Sequence, residues 1–412
     1  LSGSRERQLY GMVYRDNTVT PDALLSRARR VMAAEREVIR RQLHRNHVKL
    51  IAGAASFVSP HQLQVEGEVY EASFIVIAVG TYPAVPEGIT IDHETVLTSD
   101  DILQLQRIPR TLIVAGAGVI GTEYATMFSE LGVDVTLVDK RSTYLDMVDN
   151  EVRDAFQAHL REHNVTFRMN EEVTRVEKLG RDRVVVHVKS GKRIAAEMLL
   201  VSSGRQGAVD QLGLDKAGIE ADNRGKITVD GIYRTTVPHI YAVGDVVGAP
   251  QLASTSAEQG RIAACHAFGI PAQSVSELFP YGIYSIPEIA WVGPSEEELT
   301  RRGVGYETGR ARYREIARGQ ILGDEDGMLK IVFELTTRKL LAVWAMGEQA
   351  TEVVHVGQAV MAHGGTLDYF LNNVFNYPTL AECYKVAALN GYNKLRGLID
   401  LPAPTTSTDG AE

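Results

Sequence analysis

The sequence predicts an α/β protein in which βαβ units build a parallel sheet, followed by a C-terminal α+β region. Three observations predict it. From Thr111 to about Gly204, apolar strand-like runs alternate with amphipathic helical ones, the pattern of a parallel sheet with crossover helices. At Gly116 to Gly121, "GAGVIG" joins the apolar run "TLIVA" to a helical stretch. From about Pro280 the texture changes to mixed strands and two helices that run through "NKLRGL".

Size and composition agree. The 412 residues are too many for one ordinary core and imply two or three domains. Hydrophobic residues make up 44% and charged ones 23%, the balance of a globular protein. With 43 basic and 52 acidic side chains the net charge is −9, which argues against nucleic acid or an anionic membrane as partner. Cys265 and Cys383 form no CxxC pair, and no signal peptide is read at the start. A reducing cytoplasm is therefore expected. The longest apolar runs are strand-sized, too short to span a bilayer.

In chain order, "TVTPDALLSRARRVMAAEREVIRRQLHR" predicts a long helix, with Thr20 as N-cap and Pro21 at the first helical position. Leu24, Ala28, Val31 or Met32, Val38 and Leu43 mark its expected buried face. Its arginines, interleaved with Glu35 and Glu37, read as a solvated face. Short β-rich segments follow, ending in "FIVIAVGTYPAVP", a buried strand and a proline-punctuated loop. "TSDDILQLQRIPR" predicts a linker and helix. Then come "TLIVAG", a helix from Val119, "VDVTLVD", the helix "NEVRDAFQAHLREH", "VVVHVKSG" and "MLLVSSG". "KITVDGIYRTTVPHIYAVGD" and the helix "ASTSAEQGRIAACHAFG" form a return segment, and "PAPTTSTDGAE" is an expected disordered tail. No solenoid repeat is visible.

The glycine run sits where a dinucleotide fingerprint must sit. Gly116 permits the tight turn, Gly118 lets a pyrophosphate approach the backbone, and Gly121 lets helix pack on strand. Val119 opens the helix, whose N-terminal N–H groups and dipole favour an anion. Asp139 ends the next strand and can accept from a ribose 2′-OH, which favours NAD. Lys140 and Arg141 stand directly behind it and can pair with a 2′-phosphate. A carboxylate with two cations suggests tolerance of both NAD and NADP. The plainer alternatives are a ligand-free glycine turn and two solvent-facing cations.

Five ordered motifs, "AVGTYP", "GAGVIGTEYA", "SSGRQ", "YAVGD" and "IPEIAWVG", resemble the flavoprotein disulfide reductase family of lipoamide dehydrogenase and glutathione reductase. The resemblance implies an FAD domain split by an inserted NAD(P) domain, then a domain through which the protein pairs with itself. The implied boundaries are 1–98 for the first part of the FAD domain, 99–226 for the NAD(P) domain, 227–279 for the FAD return segment, 280–400 for dimerisation and 401–412 for the tail. It further implies that Gly244 and Asp245 meet the flavin ribityl chain. Gly80, within Ala78 to Pro83, lies on the connection between the nucleotide domains, and Gly204 and Arg205 on the return crossing. The bland reading of Asp245 is a turn residue. Family members open with their own FAD-binding GxGxxG. None is read here, so the expectation is that a βαβ unit of about 30 residues or more precedes Leu1.

Disulfide chemistry needs a base to take and return the thiol proton, and the family resemblance implies a histidine near the C-terminus, in a His-Pro-Thr signature with a glutamate four residues after the proline. This chain reads "FNYPTLAE", with Tyr377 in the histidine's place before Pro378, Thr379 and Glu382. A phenol is a poor base at neutral pH. The departure, with "PYGIYSIPEIAWVG" and "GEQATEVVHVGQAVM", resembles the soluble pyridine nucleotide transhydrogenase branch. That branch implies FAD-dependent, ping-pong hydride transfer from NADPH to NAD+ at one nucleotide site. The resemblance also places Glu123 near nicotinamide and flavin, and Val119 where some relatives carry a gating tyrosine. The alternatives are a lipoamide-dehydrogenase-like or quinone-reducing flavoprotein, or an inactive nucleotide-binding, dimerising fragment. No metal is expected: His159 and His163 are spaced like ligands, but no third ligand is evident in the sequence. His355 and His363 are assigned to core or interface, and Arg314 and Arg318 to surface or interface.

Overall fold

The computed structural model describes residues 20–272 and 278–398, with side chains to 395. Two compact units emerge. One holds residues up to 142 together with 165–272, and the other holds 143–164 together with 278–398.

The first unit opens with helix α1 (Pro21–Arg45), capped as expected: Thr20 Oγ1 accepts from Ala23 N at 3.2 Å. Its predicted buried face is a correction. Leu25 is the buried residue, while Val31 is 51% exposed and Val38 45%. An amphipathic stripe is buried only when another layer covers it, and the described residues supply little cover beyond the first turn. Strands β1 (Ala55–Ser59), β2 (Gln62–Val65) and β3 (Glu68–Glu71) form an antiparallel meander.

Strand β4 (Ile75–Ile77) is followed by β5 (Thr81–Pro83) and β6 (Val96–Thr98). The stretch predicted as a helix after it is only a 3-10 turn, Asp101–Gln104. Asp101 Oδ2 accepts from Thr98 N at 2.7 Å, and Pro109 forces its predecessor out of the α region.

The nucleotide fingerprint lies on β7 (Thr111–Ala115), helix α2 (Val119–Glu130) and β8 (Asp134–Asp139). Helix α3 (Asn150–Glu162) falls in the other unit. Then follow β9 (Val165–Met169), the meander β10 (Val173–Leu179), β11 (Arg183–Val188) and β12 (Arg193–Ala196), and β13 (Met198–Val201). A five-stranded parallel sheet results, ordered β6-β13-β7-β8-β9. β13 is buried throughout, and β7 from Leu112 onward, as expected of a parallel sheet covered on both faces. Ile113, Ala115, Leu199 and Val201 pack with Val184 and Val186 of the meander. Strand order reverses beside β7, whose neighbours are β13 and β8. That is where open α/β sheets form a ligand crevice.

Two long-range pairings bring distant motifs together. Strand β14 (Arg205–Gly207) pairs antiparallel with β5, Thr81 opposite Gly207. After the short helix α4 (Leu214–Ala217), strand β15 (Ile240–Ala242) pairs parallel with β4, Ala242 opposite Ile77. Parallel strands end on the same side, so the turns at Gly80 and Gly244 leave the sheet together. Helix α5 (Ala253–Ala267) closes the segment.

In the second unit, β16 (Tyr281–Ile283), β17 (Glu288–Val292), helix α6 (Glu296–Arg301), β18 (Tyr306–Arg312), helix α7 (Ala317–Leu322), β19 (Met328–Glu334) and β20 (Leu340–Gly347) precede helices α8 (Ala350–Ala362), α9 (Leu367–Asn372) and α10 (Glu382–Leu398). The five strands form one antiparallel sheet, β16-β17-β20-β19-β18. Its core joins Phe333, Val354, Phe370 and Tyr384. Tyr384 stitches α10 to α8, its hydroxyl donating to Val353 O and accepting from Gly357 N, both at 2.9 Å. His355 and His363 are exposed, so their assignment to the core is corrected: the apolar positions of α8 fall on its other face. Among the described residues no helix is long and apolar enough to cross a membrane. The tail from 401 lies outside the described residues.

Candidate functional site

A cleft of about 430 Å³ lies at the carboxyl ends of β7, β8 and β13. Gly116, Gly118, Asp139, Lys140, Arg141 and Gly204 line it, and so do Glu171, Glu172, Ser202 and Ser203. Val119 and Gly121 are not in its lining; Gly121 packs against the turn from behind. Gly116 has φ +110, and a Cβ there would meet Ser202 O at 2.3 Å. A Cβ on Gly121 would lie 1.9 Å from Gly116 O. Both glycines are thus enforced by backbone approach rather than by turn propensity alone. Ser202 Oγ donates to Gly116 O at 2.8 Å and pins the turn. Its motif gave only the strand end, so this role was hidden from the sequence. Gly118 is the N-cap of α2, and Thr122 N makes the first helical bond to Gly118 O at 2.9 Å. The N–H groups of the first turn lack intrahelical acceptors, and such groups can hold an anion.

The far end of the cleft is polar and charged. Asp139 is 7% exposed. Its Oδ2 accepts from Ala117 N at 2.7 Å and Arg141 Nη2 at 2.8 Å, and its Oδ1 from Arg141 N at 2.8 Å and Arg141 Nε at 3.0 Å. Burial disfavours this carboxylate, but the Arg141 side chain and the backbone N–H donors outweigh it and hold the group below the usual carboxylate range. Lys140 is exposed beside the pair. Glu171 accepts from Ser190 Oγ at 2.7 Å and pairs with Lys192 at 3.3 Å.

A second group gathers where β4 and β15 end. Asp245 follows Gly244, whose φ is +77 and whose N–H donates to Gln259 Oε1 at 2.7 Å. Gln259 is a buried amide on α5, invisible as a site residue in the sequence because its partner is backbone. Thr81 Oγ1, next to Gly80, donates to Asp245 Oδ2 at 3.4 Å and accepts from Arg205 Nε at 2.6 Å. Arg205 Nη2 also donates to Thr81 O at 2.7 Å. Asp245 is half-buried, and among the described residues its Oδ1 takes no hydrogen bond from protein. A held carboxylate with an open acceptor fits a ligand rich in hydroxyls, such as the ribityl chain of FAD.

The remaining candidates stand apart. Glu123 lies on α2, half-buried and outside the cleft lining. Tyr377, in the second unit, is 69% exposed. Glu382 does not hold it; its Oε2 accepts from Thr379 N at 3.1 Å. Both cysteines are free thiols, and burial pushes that of Cys383 up to about 12, which keeps it protonated at neutral pH. His159 and His163 stack at 4.0 Å, and His159 Nδ1 lies 2.6 Å from Asp326 Oδ2.

With this geometry in view, the likenesses to other proteins are coherent. The pyridine nucleotide-disulphide oxidoreductase profile matches residues 9–260, and the dimerisation domain of that family matches 279–388. A soluble pyridine nucleotide transhydrogenase of Mycobacterium bovis is 51% identical over 405 residues, 97% of this chain and 86% of the relative. One from Photobacterium profundum is 45% identical over 360 residues, 85% of this chain and 76% of the relative. Among solved structures, LpdA of Mycobacterium tuberculosis superposes with TM-score 0.86 at 26% identity, over 97% of this chain and 87% of its own. The flavoprotein disulfide reductase RclA of Escherichia coli gives 0.81 at 27% identity, over 90% and 88%. The family is FAD-dependent and takes NAD(P) as substrate. This chain belongs to the pyridine nucleotide-disulphide oxidoreductase family.

Proposed function

We propose that the protein transfers hydride from NADPH to NAD+, both nucleotides using the cleft beneath Gly116 in turn. The observation that carries this reading is the charged end of that cleft, where Asp139 meets Arg141 and Lys140. One carboxylate and two cations within one site offer partners to a ribose diol and to a 2′-phosphate alike. The mycobacterial and Photobacterium relatives named as soluble pyridine nucleotide transhydrogenases support it.

Each residue's part follows from its position. The α2 N-terminus and the Gly116–Gly118 turn bind the pyrophosphate. Asp139, Lys140 and Arg141 hold the adenosine ribose. Asp245, kept in place by Thr81 and by the Gln259-anchored turn, accepts from flavin hydroxyls. Bound FAD supplies the two-electron carrier between the nucleotides. Tyr377 stands where a disulfide-exchanging relative needs a proton acceptor, and hydride exchange between nicotinamides needs none there. Glu123 is assigned a positioning role near the nicotinamide, and Val119 leaves that pocket open. The match of 279–388 to a dimerisation domain supports a homodimer, and the naming of the relatives as soluble supports a cytoplasmic location.

The test is NADPH-driven reduction of thio-NAD+ by FAD-containing protein, with no disulfide present. Steady thio-NADH formation with parallel-line, ping-pong kinetics is expected. NADPH oxidation that proceeds only with an added disulfide or quinone would overturn the reading.

A further inference from the structure

Arg205 is a half-buried cation that makes no ion pair among the described residues. Its bonds go to one threonine instead: Nε donates to Thr81 Oγ1 at 2.6 Å, and Nη2 to Thr81 O at 2.7 Å. Short bonds from a guanidinium are charge-assisted and strong. A threonine hydroxyl has one proton. Because Thr81 Oγ1 accepts from Arg205, that proton is left for Asp245 Oδ2, 3.4 Å away. This separation is longer than an ordinary O–H···O bond. The chain from Arg205 through Thr81 to Asp245 thus has a firm end and a loose one.

The two-stranded ribbon that carries these residues has one end at each site. β5 leaves Gly80 on the Asp245 side and leads on to Pro86, which lines the nucleotide cleft. β14 starts beside Gly204 in that cleft and ends at Gly207, opposite Thr81. Ala84 N donates to Gly204 O at 2.9 Å and Ala208 N to Gly80 O at 3.1 Å, so backbone bonds close both ends. By register Arg205 lies opposite Pro83, yet its side chain reaches back to Thr81 and so runs along the ribbon from cleft to flavin side. The ends differ in freedom. Gly207 is pinned, its N–H donating to Arg224 O at 2.8 Å and a Cβ there falling 2.1 Å from Gly225 O. Gly204, with φ +120, has open space where a Cβ would stand.

We propose that Arg205 is a positioning residue that couples the two sites: a nucleotide in the cleft orders the Gly204 end of the ribbon, Arg205 carries that order to Thr81, and the Thr81–Asp245 bond closes to fix Asp245 for the flavin. The inference rests on the cleft being the NAD(P) site and on Asp245 meeting FAD, and it goes beyond that reading by linking them. The strong bonds make Thr81 follow Arg205, and the long one is the contact that a shift of about half an ångström makes or breaks. A filled cleft supplies part of the ordering that FAD binding otherwise requires. Each ligand therefore tightens the other by the same factor. The flavin is held most firmly while a nucleotide is present, which is when hydride has to pass.

The rate of FAD release from the whole, FAD-loaded protein, followed by the rise in flavin fluorescence on dilution, tests the coupling. ADP-ribose is the probe, because it fills the cleft but has no nicotinamide ring to touch the flavin directly. In wild type, saturating ADP-ribose should slow release about tenfold, a usual size for coupling between sites. In Thr81→Val, which keeps the shape and the backbone carbonyl but loses the hydroxyl, and in Arg205→Met, the effect should fall below about twofold. The double variant should match either single one, because both residues act through one link. Thr81→Ser, which restores the hydroxyl, should restore the effect. A merely structural role would speed FAD release in the variants and leave the ADP-ribose effect intact. That result overturns the proposal, and so does wild-type release that ignores ADP-ribose shown by calorimetry to be bound. Failure of the underlying reading looks different: ADP-ribose that does not bind removes the cleft assignment, and protein that retains no FAD removes that of Asp245, each taking the proposal with it. Thermal melts of each variant separate faster release from misfolding.

Discussion

Replacing Gly121 with alanine is expected to weaken nucleotide binding severely while leaving the fold standing. The added Cβ would lie 1.9 Å from the carbonyl oxygen of Gly116 and 2.6 Å from Ser202 Oγ. The first obstacle is backbone, so no rotamer change relieves it. Either α2 withdraws from β7 or the Gly116 turn opens, and both carry the first-turn N–H groups away from their common focus. Overpacking of this kind costs about 1–3 kcal/mol of stability, which a sheet with several buried strands survives. Binding suffers more, because the turn is the proposed anion site. Affinity for NAD+ and NADP+ should fall by roughly a hundredfold or more, about 2.8 kcal/mol at 1.4 kcal/mol per decade. Calorimetric titration beside a thermal melt checks both parts. Near wild-type affinity in a folded Gly121→Ala protein would show that close packing at this glycine is dispensable for the site.

Lys330→Met should strongly destabilise the second unit. Lys330 is fully buried on β19, yet it carries an ammonium among three carboxylates: Asp149 at 2.7 Å, Glu151 at 3.3 Å, and Glu296. Burial opposes this charge, but Asp149 and Glu296 outweigh it and raise the lysine above its ordinary value. The sign matters for pH. A raised lysine pKa contributes stability that is fully present below the unfolded value of 10.5 and is lost as pH rises through the higher folded value. The wild-type pairing is therefore constant across neutral pH. Methionine fills the space but strands the carboxylates, and losing one partner of a buried pair costs about 3–5 kcal/mol. Asp149 also caps α3, accepting from Glu151 N at 3.2 Å, so its repulsion from the other carboxylates loosens that helix start. Urea unfolding at pH 7 measures the loss. A loss under about 1 kcal/mol would mean that water or relaxation already solvates the cluster.

Much of the organisation was legible in the chain. "TLIVA", "GAGVIG" and "VDVTLVD" announced strand, turn, helix and strand because each signal is local: apolar runs of strand length, and glycines where only glycine fits. Thr20 and Pro21 marked the start of α1 by capping chemistry that involves four consecutive residues. The same locality explains the misses. The apolar stripe of α1 has the right period, but whether a layer covers it depends on residues far away. "TSDDILQLQRIPR" has helical composition, but its Asp101 bonds backward to Thr98 and its proline truncates the run. The exposed His355 lies on, and His363 follows, a helix whose other face is the packed one.

The sequence by itself determined which chemistry the chain can offer: a glycine turn opening a helix, a strand-end Asp139 backed by two cations, a Gly244–Asp245 strand end, and a tyrosine before Pro378. Those are properties of residue types at short spacings. Only the tertiary structure decided how they are deployed. It joined Thr81 and Asp245, 164 positions apart, through the parallel pairing of β4 with β15. It recruited Ser202 and Gln259, whose bonds go to backbone and so leave no motif. It buried Lys330 within an otherwise apolar strand, MLKIVFE. And it folded the Arg141 guanidinium back onto Asp139, turning two candidate ligands for nucleotide into partners for each other. Spacing states what is near along the chain, whereas a hydrogen bond or ion pair depends on distance and direction in space, which only the packed sheets supply.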